Sequence, residues 1–112
     1  MKTKNDLSKF NQYEKKEIRE GLEQGLDVTI YAKPEFNSRQ MEQIWWGLKQ
    51  GLDVSWFAKP EFNHNQMRQI MLGIKDGIDV SVYAKPELTF RKMSSIRRKL
   101  IENKEQQDEN KY

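Results

Sequence analysis

Apolar and polar positions recur with a helical period over most of the chain. From Met41 onward, Met41, Ile44, Trp45, Leu48 and Leu52 fall at i, i+3, i+4, i+7 and i+11, a one-sided apolar stripe that predicts an amphipathic helix. A different texture follows. The hexapeptide DVSWFA is rich in β-branched and aromatic residues and ends at Lys59-Pro60. The same alternation of a long stripe and a short apolar knot occurs before and after it, so the pattern is a repeat.

The period is 26 residues. Copies run over 10–35, 36–61 and 62–87, reading FNQYEKKEIREGLEQGLDVTIYAKPE, FNSRQMEQIWWGLKQGLDVSWFAKPE and FNHNQMRQIMLGIKDGIDVSVYAKPE, with a partial fourth over 88–102. All 6 glycines and all 3 prolines belong to these copies. A fixed period of this size marks a stacked-repeat architecture, in which each unit buries its apolar face only against its neighbours.

Each long helix has a start signal. Asn37 can cap, Gln40 three residues on can reach back to it, and Phe36 and Met41 have the spacing of a hydrophobic staple. Phe62, Asn63, Gln66 and Met67 repeat the arrangement, while the fourth copy has Leu88, Thr89 and Met93 but Lys92 in the Gln position. Gly51 suits the left-handed residue that ends such a helix. Gly47 lies inside it, where glycine costs about 1 kcal/mol relative to alanine. Its recurrence as Gly21 and Gly73 predicts close approach by another backbone or an aromatic ring.

For the short element, β propensity favours a strand. Capping by Asp27, Asp53 and Asp79, and the i, i+3, i+4 spacing of Val54, Phe57 and Ala58, favour a second short helix. The helical reading is preferred, because the LxxLxLxxN pattern of a leucine-rich horseshoe is absent. The expected fold is all-α: three αα-hairpin repeats and a C-terminal capping helix stacked into a small solenoid. Residues 10–102 would form one domain, with flexible ends at 1–9 and 103–112.

Composition narrows the chemistry. At 112 residues the chain holds one domain, and mean hydropathy is −0.98 with 33% charged residues. No stretch is long and apolar enough for a membrane span, the N-terminus lacks a signal-peptide core, and there are no cysteines, which together read as a cytoplasmic protein. The lone histidine, His64, stands at a helix start where exposure is expected. Lys33, Lys59 and Lys85 read as solvated surface. No phosphate loop, zinc spacing or nucleophile–base pair is present, so neither an enzyme nor a cofactor is expected.

Positions that change between copies point instead to binding. Ile18, Ile44, Ile70 and Ile96 keep their character and read as core, as do Leu22, Leu48, Ile74 and Leu100. Elsewhere positions change between copies: Glu20, Trp46, Leu72 and Arg98 are apolar in the middle copies and charged in the outer ones, and the column Ile30, Trp56, Val82 carries a tryptophan in the second copy. Better burial of the central copies is one explanation. The other is an exposed anchor patch of Trp46, Trp56 and Leu72, with Trp46 foremost.

Charge is uneven too. Residues 84–104 carry a net +5 against −2 for residues 22–83. Arg91, Lys92, Arg97 and Arg98 could therefore meet phosphate or an acidic protein surface. In a helix-turn-helix reading, Arg91, Lys92 and Ser95 would face the major groove and Arg98 the backbone.

The QMxxIxxGLxxGLDVSxYAKPEF pattern resembles a short helical repeat of uncharacterised phage and mobile-element proteins of Gram-positive bacteria. The resemblance covers Phe10 to about Leu100. It implies a stand-alone, non-catalytic inhibitor or adaptor, such as an anti-CRISPR or anti-restriction protein acting on a host CRISPR effector or other nuclease. A DNA- or RNA-binding regulator using the last helix is the alternative. Self-assembly through unfinished repeat ends is a third.

Overall fold

A computed structural model describes residues 7–110 of the chain. Its elements are α1 (Gln12–Glu23), α2 (Ser38–Lys49), α3 (His64–Lys75) and α4 (Phe90–Asn110), with a three-residue 3-10 turn between successive helices at Val28–Ile30, Val54–Trp56 and Val80–Val82. The described residues form no strand, so the fold is the expected all-α repeat stack.

The helix ends follow the predicted chemistry. Asn37 Oδ1 accepts from Gln40 N at 2.8 Å while Gln40 Oε1 accepts from Asn37 N at 2.8 Å, and Asn63 and Gln66 do the same. Asn11 and Glu14 add a third such box in the first copy. In the fourth copy Thr89 Oγ1 alone accepts from Lys92 N, at 3.1 Å. Gly51 ends α2 at φ +73°, with Leu52 N donating to Gly47 O at 2.9 Å.

The short element is one 3-10 turn rather than an α-helix. Asp53 Oδ1 accepts from both Ser55 N (3.1 Å) and Ser55 Oγ (2.6 Å), which starts the turn. Phe57 N and Ala58 N both donate to Val54 O, and Pro60 then supplies no further donor. The cap and the proline leave room for a single turn.

That turn carries the chain back along the helix it has just left. Val54 and Phe57 are buried against Gly47; a β-carbon there would come within 2.6 Å of Val54 Cγ1 and 2.8 Å of Phe57 Cζ. Gly21 and Gly73 meet Val28 with Tyr31, and Val80 with Tyr83, in the same way. The predicted close approach is therefore made by each repeat's own turn. Tyr31 Oη donates to Glu17 O at 2.6 Å and Tyr83 Oη to Gln69 O at 2.5 Å, while the middle copy has Phe57 and lacks that bond.

Because the chain doubles back, each helix begins beside the start of the one before, and successive long helices pack side by side. The core is a ladder of equivalent residues: Phe10, Phe36 and Phe62; Met41, Met67 and Met93; Ile18, Ile44 and Ile70; Tyr31, Phe57 and Tyr83.

Two further sequence expectations change. Leu22, read as core, is 45% exposed. Its counterpart Leu48 is half-buried beside Ile30 of the preceding repeat's turn, and among the described residues no such 3-10 turn precedes the first copy. The last helix continues to Asn110 instead of ending near residue 102. Lys99 and Asn103 replace the two glycines, no proline follows, and Lys104 Nζ donates to Asp76 O at the end of α3 at 3.0 Å. Residues 1–6 and 111–112 of the expected flexible ends lie outside the described residues.

Candidate binding faces

Successive repeats are joined by a bond the sequence did not announce. The Gln40 carboxamide, already capping α2, donates through Nε2 to Phe62 O at 2.7 Å and Pro60 O at 3.2 Å. Gln66 does the same toward Leu88 O (2.7 Å) and Pro86 O (3.0 Å). The first copy has Glu14, which as a carboxylate has no N–H to offer. The signal was present in the column Glu14, Gln40, Gln66, Lys92, where glutamine appears only in the two inner copies.

The proposed anchor residues do not form one patch. Gly47 faces its own turn, whereas Glu42, Trp46 and Lys49, at i, i+4 and i+7, lie along the solvent side of α2 and are exposed. Trp46 is 47% exposed and meets Trp45 edge-on at 4.9 Å between centroids. Leu72, half-buried, holds the same position on α3. Trp56 belongs to the turn layer with Ile30 and Val82, and is 40% exposed. The anchors are thus split between a helix side and a turn side.

On the turn side, a groove of about 490 Å³ opens between the first two repeats. Ile30, Leu48, Leu52 and Ala58 make its apolar wall, and Lys33 and Lys59 stand at its edge, exposed as expected. Trp56 occupies the place of Ile30 one repeat further on.

On the helix side, neighbouring helices touch in a fixed register. Lys49 Nζ donates to Gln24 Oε1, and Arg97 Nε donates to Gln69 Oε1 at 3.2 Å. Arg97 also pairs with Asp76 at 2.7 Å, so its guanidinium already serves the α3–α4 contact. Arg91, Lys92 and Arg98 are exposed. At the position of Arg97 the third copy has Met71, and the buried Gln43 Oε1 is left without a donor; Trp45 Nε1 is likewise unpaired. Glu17, buried at the α1–α2 joint, is held above the ordinary carboxylate range, first by burial and then by Glu42 and Glu20.

His64 is half-buried at the first position of α3. Among the described residues no cluster of three or more potential ligands could hold a metal ion, and no helix is long and apolar enough to cross a membrane. Comparison with family models, with curated proteins and with solved structures finds no match.

Proposed function

We propose that the protein is a non-catalytic, protein-binding repeat module that engages its target through the turn side. The observation that carries this reading is the placement of Trp56. It stands 40% exposed in the row Ile30, Trp56, Val82, next in sequence to Ser55, which lines a groove whose wall is aliphatic and whose edge carries Lys33 and Lys59 with Asp53. A large aromatic held on a rigid turn loses little conformational freedom on binding, and the lysines favour a target segment that pairs apolar side chains with carboxylates. The resemblance noted for the repeat adds the context of a mobile-element inhibitor and directs the search for a target to host defence nucleases. No cofactor is called for.

The test is affinity capture from host cells with the wild type and with Trp56→Ala, both checked for equal helicity. A bound protein lost or weakened at least ~10-fold by the substitution supports the reading. Identical captures by both proteins would reject the turn side as the contact. If the captured protein is a nuclease, its cleavage rate should fall as the wild type is added.

A nucleic-acid-binding role has its own observation, the exposed Arg91, Lys92 and Arg98 on α4. The arrangement before α4 is a single 3-10 turn, and Arg97 is bound to Asp76. Duplex binding at low salt that weakens steeply as salt rises would favour this second reading; no duplex or single-strand binding at low salt would dismiss it.

A further inference from the structure

The helix side presents one row with one residue from each helix: Glu20, Trp46, Leu72 and Arg98. Its order is acid, aromatic, aliphatic, base. Rotated by half a turn about an axis lying between α2 and α3 and running along them, the row falls on its own complement. Glu20 comes opposite Arg98 of the second copy, and Trp46 opposite Leu72 of the second copy. The row on one side of it, Lys16, Glu42, Arg68 and Ser94, behaves alike, with Glu42 meeting Arg68 of the second copy. The row on the other, Glu23, Lys49, Lys75 and Ile101, sets Lys49 toward Lys75 of the second copy and lies at the rim, with Lys49 Nζ drawn aside to Gln24 Oε1. A surface that matches itself under a two-fold rotation is what an isologous interface requires; a foreign partner imposes no such symmetry.

We propose that this outer helix face is the interface of a homodimer, in which a second copy lies against it with its repeats in reversed order. Trp46 provides the apolar centre, since it is 47% exposed and its edge-on contact with Trp45 fixes its ring. Leu72 and the flanking charges complete the register. The chain ends are poorer candidates: Lys15 and Arg19 surround Leu22 at one end and Lys92 and Lys99 stand at the other, so head-to-tail stacking opposes like charges.

Size sets the expected strength. A 12-residue helix is about 18 Å long, and four helices spaced about 9 Å apart span about 27 Å. The footprint is then about 500 Å² per copy, below the ~800 Å² of a standard stable interface, so the dimer should be a weak, reversible one. The turn sides face away from each other in this arrangement. Each dimer therefore offers two target sites, and loss of dimerisation would leave single-site target binding intact.

Sedimentation equilibrium from roughly micromolar to submillimolar protein tests the proposal. The mass should rise from 13.4 kDa toward twice that value. Trp46→Glu should weaken association at least ~10-fold. Glu20→Arg and Arg98→Glu should each weaken it, and the two together in one chain should recover it, because the reversed register pairs them. Should Trp46→Glu lose helicity, the charge-swap series decides alone. A monomer at the highest concentration, a dimer indifferent to Trp46→Glu, or a double swap no better than the single swaps would each overturn the proposal.

Discussion

Gln40 and Phe62 are bound across a repeat boundary: the side-chain amide that closes the capping box of α2 also donates, at 2.7 Å, to the carbonyl of the residue preceding the next cap. Every polar atom of that carboxamide is used. A local helix signal thereby doubles as the joint between neighbouring units. Gln40→Ala should cost about 1–3 kcal/mol in chemical unfolding, because it leaves part-buried carbonyls without donors. Gln40→Glu keeps the box but removes the donors, and should recover only part of the loss. Glu14→Gln should stabilise by copying the joint into the first copy.

Glycine at position 47 is required by space. In an open helix Gly→Ala gains about 1 kcal/mol. Here a β-carbon would press on Val54 and Phe57, and overpacking of this kind costs about 1–3 kcal/mol. Gly47→Ala should therefore lower the melting temperature, and so should Gly73→Ala. Substitution of Gly51 should also destabilise, by a different cause, since its φ of +73° strains any L side chain although nothing stands within 4 Å.

The two buried tyrosines should make stability fall at alkaline pH. Burial above all, opposed by Arg97, pushes the Tyr83 phenol up to about 12 from an ordinary 10.0, and burial raises Tyr31 as well. Between those values the unfolded chain has lost a proton that the folded chain keeps, so stability declines as pH rises. Tyr83→Phe should cost about 1 kcal/mol near neutrality and flatten this decline, as followed by urea unfolding at stepped pH. Phe57→Tyr is the converse change and should be neutral or stabilising, since Gln43 O holds the place that Glu17 O and Gln69 O hold in the other copies.

Glu17 predicts the same sign of pH dependence in the acid range. Its folded-state pKa is raised, so the folded chain binds its proton more readily than the unfolded chain does. Wild-type stability from this group is lowest where Glu17 is charged and recovers as pH falls through the raised value toward 4.5. Glu17→Gln, which installs the residue found in the next two copies, should raise the melting temperature at pH 7. The advantage should close as pH approaches 4.5; an advantage that persisted unchanged in acid would show that charge is not its source.

Arg97 and Arg98 are adjacent in sequence and differ in role. Arg97→Ala should destabilise by about 1 kcal/mol, because it unbinds Asp76 and Gln69 at the last helix joint. Arg98→Ala should leave the melting temperature of the monomer nearly unchanged. Sequence could not separate them, since both are basic residues on a basic helix.

The amino-acid sequence by itself determined the repeat, its 26-residue period, the helix starts at asparagine, the stops at the second glycine and the burial column of Phe, Met and Ile. These are local: a cap, a left-handed residue and a 3.6-residue stripe are decided within one turn of chain. Only the tertiary structure decided that the tight glycine faces its own turn, that Leu22 stands uncovered, and that Lys104 ties the extended last helix to α3. It alone placed Trp46 and Trp56 on different sides of the stack. Those outcomes depend on which neighbour lies across each surface, and a periodic sequence gives every copy the same instructions while the stack gives each copy different neighbours.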